Sequence, residues 1–210
     1  MRKLRIALAK GRLYDATVDR FRRAGIVMAE DPGRRLLISS SDPRIEFLAV
    51  KPGDVPVYVE AGAADLGVTG SDVLRESEAD VLEPLDLGYG TCRMVVATTA
   101  GAPYPTLPDG TIARVATKYP RLARLHFAQL GRPVEIVQVG GSVEVAPLLG
   151  LSDWIVDLVD TGHTLRANGL VERETILPCS AILVANRASQ KLKLDLYLEV
   201  MGRLEGTAPA

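Results

Sequence analysis

Histidine and cysteine are scarce in this sequence: two of the 210 residues are histidine and two are cysteine. Cys92 and Cys179 are too few for a disulfide framework or a structural zinc site, so a reducing compartment is the simplest setting. The sequence offers no evident Ser/His/Asp or Cys/His set for nucleophilic catalysis. We therefore predict no covalent catalysis and no structural zinc site, and we name no metal-ligating residue.

Excess charge and long apolar runs are also missing. The formal net charge is -1, so no global basic field attracts nucleic acid. No segment approaches the roughly 18 apolar residues that a membrane helix needs. The run Leu4 to Ala9 is too short for the apolar part of a secretion signal and is followed by Lys10. We therefore expect a cytoplasmic protein with no nucleic-acid or membrane partner.

The composition is that of a globular protein, with 47% hydrophobic and 24% charged residues. The length suits one large domain or two small lobes.

The most informative stretch runs from Asp153 to Leu165. An apolar strand predicted here contains Asp157, whose burial is costly unless the carboxylate meets a partner or a ligand. The following loop, Asp160 to Thr164, supplies hydroxyls, a glycine and free backbone N–H groups where a helix begins, which favours a phosphate. Acids for sugar hydroxyls beside donors for a phosphate predict a phosphorylated sugar as ligand.

A second segment has a similar pattern. Residues 55–74 and 143–165 each contain a short helix with a proline, an aspartate, a strand, Thr-Gly and a new helix. The repeat is short and degenerate, but two such units suggest two α/β lobes that each offer a Thr-Gly helix start to a shared cleft. In and just before the first repeat, residues 55–74, we predict that Asp54 caps one helix and that Ser71 or Asp72 caps the next.

Strands and helices alternate along the chain, which predicts a mostly parallel sheet in each lobe with ligands at the carboxyl ends of strands. Five candidate loops occupy such ends: residues 10–12, 69–72, 117–119, 140–142 and 160–164. Pro32-Gly33 further predicts a hairpin turn before Arg34-Arg35. Thr175 to Asn186 is predicted to be mainly one strand, and Ala188 to about Leu204 one helix.

Several stretches together resemble the ATP phosphoribosyltransferase family. They are AKGRL at 9–13, DVPVYVEAGAADLGVTG at 54–70, ATKYP at 116–120, GSVE at 141–144 and IVDLVDTG at 155–162. The resemblance covers nearly the whole chain, about Leu4 to Ser189. Because the chain stops soon after its last helix, it resembles the short form of the family, which works with a separate regulatory subunit similar to histidyl-tRNA synthetase. We therefore expect an oligomer.

The resemblance implies a fold like the type II periplasmic binding proteins, with lobe I at residues 1–88 plus 179–210 and lobe II, which carries the phosphate loop, at 89–178. It also implies an enzyme of histidine biosynthesis. Adenine N1 of ATP displaces pyrophosphate from carbon 1 of phosphoribosyl pyrophosphate, with Mg²⁺ carried by the substrates. Such a transfer has a neutral nucleophile and an anionic leaving group, so positioning, Mg²⁺ and cations can supply most of the rate.

The same resemblance implies roles for individual residues. Those expected to act in catalysis are Lys10, Arg12 and Asp157. Those expected to bind phosphoribosyl pyrophosphate are Glu144, Asp157, Asp160, Thr161, Gly162, His163, Thr164 and Leu165. Those expected to bind or border ATP are Lys10, Gly11, Arg12, Thr69, Gly70, Asp72, Gly88, Tyr89, Gly90, Cys92 and Arg93.

Alternative interpretations remain open at this point. Tyr89 could stack on adenine or be a core aromatic residue, and His163 could donate to the phosphate or only face solvent. The whole chain could be a ligand-binding module without catalysis, since fold does not determine function. A phosphoribosyltransferase for another base would carry a similar acid-rich loop.

Overall fold

The computed structural model describes residues 3–29, 36–107 and 110–207. The turn predicted at Pro32-Gly33 and the Arg34-Arg35 pair lie outside these residues. The strands are β1 (Leu4–Ala9), β2 (Leu37–Ser39), β3 (Ile45–Val50), β4 (Leu66–Gly70), β5 (Leu82–Asp86), β6 (Cys92–Thr99), β7 (Ala113–Thr117), β8 (Val134–Gln138), β9 (Trp154–Val159), β10 (Leu170–Cys179) and β11 (Ala181–Ala185). The α-helices are α1 (Tyr14–Arg23), α2 (Asp54–Glu60), α3 (Ser71–Ser77), α4 (Pro120–Gln129), α5 (His163–Ala167), α6 (Arg187–Leu192) and α7 (Leu194–Glu205).

The chain divides into two compact units. Unit 1 consists of two segments, the residues up to Gly90 and those from Ser180 onward. Unit 2 is the continuous segment Thr91–Cys179. The sheet of unit 1 has the strand order β2-β3-β1-β4-β11-β5, and the sheet of unit 2 has the order β10-β6-β9-β7-β8.

The sheet of unit 1 is buried on both faces. Along β1, Leu4, Ile6 and Leu8 pack in one core cluster with Phe21 of α1, whereas Ala7 and Ala9 pack in the other. This alternation is the side-chain period of a strand, and apolar residues on both faces explain the uninterrupted apolar sequence of β1. Helices α1 and α7 cover the first face, and α2 covers the second.

The sheet of unit 2 is covered in the same way. Trp154 and Val156 of β9 pack on one face with Phe127 of α4, while Ile155 and Val159 pack on the other. Asp157 occupies the position between Ile155 and Val159 on that second face. The strand therefore carries one charged side chain in a row that is otherwise apolar.

The predicted α/β class is confirmed, but both sheets are mixed instead of mostly parallel. Strands β1, β3 and β4 run parallel in unit 1, and β7, β8 and β9 run parallel in unit 2. The remaining pairings, β2 with β3, β11 with β4 and β5, and β6 with β9 and β10, are antiparallel.

Two predicted elements were wrong in detail, one strand was not predicted, and two predicted helix caps were wrong. The strand predicted over Thr175 to Asn186 is two strands, β10 and β11, which flank Ser180 and belong to different sheets. The helix predicted from Ala188 is also two, α6 and α7, which meet at Lys193. Strand β5 had no predicted counterpart. The caps differ as well: Gly53 and Gly70 precede α2 and α3, and neither helix has a side-chain cap.

Candidate active site

Three of the five candidate loops lie at one edge of the sheet of unit 2. Strands β9, β7 and β8 are parallel neighbours, so the loops that follow them, at 160–164, 117–119 and 140–142, leave the same edge. Strand β6 is antiparallel to β9 and pairs Arg93 with Val159, so β6 begins at that edge. The sequence prediction of clustered strand ends is therefore met within this unit.

Asp157 is the charged centre of this edge. Its carboxylate Oδ1 lies 3.5 Å from Lys118 Nζ and accepts the backbone N–H of Leu158 at 2.8 Å. Burial raises the pKa of Asp157 above its ordinary value; Lys118 acts against this shift, and the nearby Glu144 carboxylate adds to it. A half-buried carboxylate with the Lys118 cation beside it has the character of a ligand-binding group.

Glu144 lies on the short turn that follows β8. This turn, Val143–Val145, is a single 3₁₀ turn whose preceding residue, Ser142, has a left-handed backbone (φ 49°). Val143 is buried against the core, whereas Glu144 is half-buried. Asp157 and Glu144, the two carboxylates that were predicted to meet ribose hydroxyls, therefore lie at the same edge.

The loop Asp160 to Thr164 follows β9 directly. Asp160, Thr161, His163 and Thr164 are exposed, whereas Leu165 is buried and anchors α5 to the core. Leu165 therefore supports the loop through packing, and the four exposed residues are the ones accessible to a ligand. The backbone N–H of His163 has a long contact of 3.4 Å to Thr161 Oγ1.

Charged side chains hold the backbone of this loop. Arg93 Nη1 donates to the carbonyl oxygen of Asp160 at 3.0 Å, and Arg166 Nη2 donates to that of Thr161 at 3.0 Å. Arg93 also forms a fork with Glu172, with Nε to Oε2 at 3.0 Å and Nη2 to Oε1 at 2.6 Å. Arg93 was predicted to border ATP, but its described contacts are with this loop.

In unit 1, two further candidate loops share an edge. Strands β1 and β4 are parallel neighbours, so residues 10–12 and 69–72 leave the sheet on the same side. Lys10 and Gly11 are exposed, and Gly11 has a left-handed backbone (φ 93°). Arg12 Nη1 donates to the carbonyl oxygen of Gly90 at 2.9 Å. The Lys-Gly-Arg loop therefore contacts the Gly88 to Gly90 segment, and the sequence prediction placed both at ATP.

Tyr89 is a core residue on its described contacts. Its ring packs against the main core of unit 1, and its hydroxyl lies 2.7 Å from Thr17 Oγ1. Because Thr17 Oγ1 donates to the carbonyl oxygen of Leu13 at 2.6 Å, the tyrosine hydroxyl is the donor in this pair. Burial raises the pKa of Tyr89 to about 12. The flanking Gly88 and Gly90 both have left-handed backbones.

Thr69, Gly70 and Asp72 are all buried. Thr69 Oγ1 has a long contact of 3.4 Å to the carbonyl oxygen of Pro52. A Cβ atom on Gly70 would lie 2.1 Å from Asp72 Oδ1, so the carboxylate occupies the space where a side chain would begin. These three residues of the predicted ATP set lie where β4 ends and α3 begins, and their burial makes them inaccessible to a ligand in this structure.

Sequence reasoning missed several polar residues of these edges. Ser180 Oγ donates to Asp86 Oδ2 at 2.8 Å, and Ser71 Oγ accepts the N–H of Ser180 at 3.2 Å. Arg166 and Glu172 beside the phosphate loop were also missed. The alternation of apolar and polar residues along the sequence cannot reveal these residues, because each reaches its partner through long-range strand pairing or a flexible side chain.

Cys92, which was predicted to border ATP, and the histidine His126 have structural surroundings. Cys92 packs against the core of unit 2, and neither Cys92 nor Cys179 forms a disulfide. His126 Nε2 lies 2.9 Å from Glu174, which also binds Arg132. Within residues 3–29, 36–107 and 110–207, no group of three or more His, Cys, Asp and Glu side chains is arranged to hold a metal ion. No helix in the described part of the chain is long and apolar enough to cross a membrane.

Comparison with known proteins gives one consistent answer. A family model described as "HisG: ATP phosphoribosyltransferase" matches residues 51–206. The ATP phosphoribosyltransferase of Chromobacterium violaceum is 47% identical, over 99% of this chain and 100% of that protein. That of Halorhodospira halophila is 50% identical, over 100% of this chain and 97% of that protein. A solved structure, the ATP phosphoribosyl transferase (HisG:HisZ) complex from Thermotoga maritima, contains a chain that is 32% identical, with a TM-score of 0.86 and 98% of each chain covered.

Proposed function

The chain belongs to the ATP phosphoribosyltransferase family, and from this premise we propose how its residues act. The enzyme transfers the phosphoribosyl group of phosphoribosyl pyrophosphate to N1 of ATP and releases pyrophosphate, which is the first step of histidine biosynthesis. The assignments of single residues that follow are proposals.

The observation that carries the assignment is the polar edge of unit 2. Asp157, with Lys118 at 3.5 Å and Glu144 nearby, lies directly before an exposed loop of hydroxyl and backbone donors. We assign the ribose hydroxyls to Asp157 and Glu144, because ionised carboxylates accept two hydroxyl donors well. We assign the 5-phosphate to residues 160–164, whose N–H and hydroxyl groups suit an anion.

This chemistry requires little acid–base help from the protein. The bond from carbon 1 of the ribose to pyrophosphate breaks with oxocarbenium character, and a bond to adenine N1 forms. Pyrophosphate leaves with the electron pair. Because N1 is a neutral nucleophile, the residues act mainly by orienting the two substrates and by stabilising charge that develops on the ribose and the leaving group. The Asp157 carboxylate is suited to stabilise the positive charge that develops on the ribose.

In unit 1 we assign the polyphosphate to Lys10, Gly11 and Arg12. Lys10 is exposed at the end of β1, and the left-handed Gly11 leaves its backbone accessible. Gly88, Tyr89 and Gly90 border ATP in this proposal mainly through their backbone, because the Tyr89 ring and hydroxyl are committed to the core and to Thr17. Thr69, Gly70 and Asp72 are buried, so we assign them a structural role where β4 ends and α3 begins.

We propose that Mg²⁺ enters with the substrates. Mg²⁺ prefers oxygen ligands and is commonly bound by substrate phosphates together with one or two carboxylates. Asp157 and Glu144 are the carboxylates of this edge that fit such a role. When bound, the ion neutralises charge on the departing pyrophosphate.

We further propose a separate regulatory subunit and a cytoplasmic location. The related Thermotoga maritima structure is a HisG:HisZ complex, and its matched chain is covered over 98% of its length, as is this chain. This supports a hetero-oligomer in which regulation lies outside the present chain. Cys92 and Cys179 form no disulfide, which suits a reducing compartment.

The test is turnover by the purified chain. With ATP, phosphoribosyl pyrophosphate and Mg²⁺, we expect pyrophosphate release and a new absorbance from the ribosylated adenine, with neither signal when one substrate is omitted. Binding of both substrates without pyrophosphate release would favour the ligand-binding module. Release with another base and not with ATP would favour a different phosphoribosyltransferase.

A further inference from the structure

Three charged side chains from different elements gather against the loop Asp160 to Gly162. Arg93 starts β6, Arg166 lies in α5, and Glu172 lies near the start of β10. A Cβ atom built on Gly162 would lie 2.9 Å from Arg166 Nη1 and 3.1 Å from Glu172 Oε1. The two side chains therefore fill the space beside Gly162, where the backbone is left-handed (φ 73°).

The arginines contact carbonyl oxygens and not N–H groups. Arg93 binds the carbonyl oxygen of Asp160, and Arg166 binds that of Thr161. In a trans peptide the C=O of one residue and the N–H of the next point in opposite directions. The N–H groups of Thr161 and Gly162 therefore point away from the two guanidinium groups. Successive N–H groups on one side of a loop form a concave site for an anion.

Arg93 is itself held in place. All three of its guanidinium nitrogens have acceptors: Nε and Nη2 bind Glu172, and Nη1 binds Asp160. The interaction with Glu172 raises the pKa of Arg93, so the side chain stays charged. A lysine has no planar fork and cannot hold the carboxylate and the carbonyl oxygen in this geometry.

We infer that Arg93 and Arg166 are positioning residues that orient the peptides of the phosphate loop, with Glu172 fixing Arg93. They bind the back of the loop and leave its N–H groups free for the 5-phosphate of phosphoribosyl pyrophosphate. This inference rests on the proposed function, which assigns that phosphate to residues 160–164. It moves Arg93 from the ATP set to the phosphate loop.

The experiment compares Arg93→Ala, Arg93→Lys and Arg166→Ala with the wild type by calorimetric titration. The probes are phosphoribosyl pyrophosphate, ATP and pyrophosphate, with Mg²⁺ throughout. The matched control is Arg114→Ala, which removes the Arg114–Asp153 ion pair of the same unit, 3.5 Å long and located where β7 and β9 begin. Circular dichroism and thermal unfolding verify that each variant is folded.

We expect phosphoribosyl pyrophosphate to bind roughly tenfold more weakly to Arg93→Ala and to Arg166→Ala, because each loses a charge-assisted hydrogen bond to the loop. Pyrophosphate and ATP should bind these variants as they bind the wild type. Arg93→Lys should recover little of the lost affinity. The KM for phosphoribosyl pyrophosphate should rise more than kcat falls, and Arg114→Ala should bind all three probes normally.

Unchanged affinity of folded Arg93→Ala and Arg166→Ala for phosphoribosyl pyrophosphate would overturn the inference. So would an equal loss for all three probes, or full recovery in Arg93→Lys. If Arg93→Ala does not fold, Arg166→Ala and Glu172→Gln decide the matter by the same titrations. A wild type that binds no phosphoribosyl pyrophosphate would instead contradict the proposed function, so the two failures are distinguishable.

Discussion

Replacing Asp157 with asparagine separates the effect of its charge on folding from its effect on binding. The carboxylate lies 3.5 Å from Lys118 Nζ, and the two side chains are 19% and 39% exposed. Two unit charges at this distance attract by about 5 kcal/mol at an effective dielectric constant of about 20 and by about 1 kcal/mol in water. The pKa of Asp157 is nevertheless raised by burial. The loss of hydration therefore outweighs the attraction to Lys118.

The sign of the stability effect follows from this shift. A carboxyl group whose pKa is higher in the folded state stabilises the fold fully below the unfolded value of 3.8, and this contribution is lost as the pH rises through the folded value. At pH 7 the ionised Asp157 therefore opposes folding. Asparagine has the same shape without the charge, so the free energy of unfolding at pH 7 should stay unchanged or rise by up to roughly 1 kcal/mol.

The Asp157→Asn variant should, in contrast, bind phosphoribosyl pyrophosphate more weakly than the wild type. A hydrogen bond from a ribose hydroxyl to an ionised carboxylate contributes roughly 1.5 to 3 kcal/mol, which corresponds to a ten- to hundredfold loss in affinity for phosphoribosyl pyrophosphate. Urea denaturation at pH 5 and pH 8 measures the first effect, and calorimetric titration measures the second.

A matched control is available just before the same strand. Asp153 lies 3.5 Å from Arg114 and also accepts its backbone N–H at 2.8 Å, outside the proposed site. Asp153→Asn should lose about 1 kcal/mol of stability and keep normal affinity. A loss of more than about 1 kcal/mol in Asp157→Asn would show that its carboxylate stabilises the fold and would refute the linkage argument. Unchanged affinity would remove Asp157 from the site.

Three other changes test the remaining assignments. Lys10→Ala should lower kcat more than it weakens ribose 5-phosphate binding, because we propose that the charge of Lys10 binds the polyphosphate; normal turnover in steady-state assays would exclude this role. Gly162→Ala should cost about 1 to 2 kcal/mol of stability in urea and weaken phosphoribosyl pyrophosphate binding, because a residue with a Cβ atom is strained at this left-handed position and its Cβ atom would displace the Arg166 side chain; wild-type behaviour in both measurements would contradict the loop geometry. The isolated chain should turn over without inhibition by millimolar histidine, because the proposed regulator is a separate subunit; strong inhibition would contradict that proposal.

Local pattern was enough to predict most of the α/β framework. Strand β1 coincides with the apolar run Leu4–Ala9, because both faces of this strand are buried. Gly25 and Gly131, which have left-handed backbones, lie two residues beyond the last residues of α1 and α4 and terminate these helices. The element predictions that failed share a physical cause: the pairing of strands depends on residues that are far apart in the sequence, so a short stretch of sequence does not reveal it. Nothing in the apolar run around Ser180 reveals that β10 pairs with β6 and β11 with β4.

The edge of unit 2 was predictable from the sequence because its loops follow parallel strands. The cost of a buried Asp157 correctly indicated an unusual position, and the structure gives it a cation, Lys118, that the predicted residue set omitted. Residues joined by long side chains were not predictable. Arg93 and Glu172 are 79 residues apart in the chain and meet only across the folded sheet.

Transfer to adenine N1 can be followed by ¹⁵N NMR of ATP labelled at N1, incubated with the chain, phosphoribosyl pyrophosphate and Mg²⁺. We expect the labelled nitrogen to become covalently bonded to carbon 1 of the ribose, with a shifted resonance and coupling to that carbon, while one pyrophosphate appears for each ATP consumed. An unshifted N1 resonance while pyrophosphate accumulates would mean that another atom is the acceptor. An unchanged spectrum without pyrophosphate would contradict catalysis by this chain.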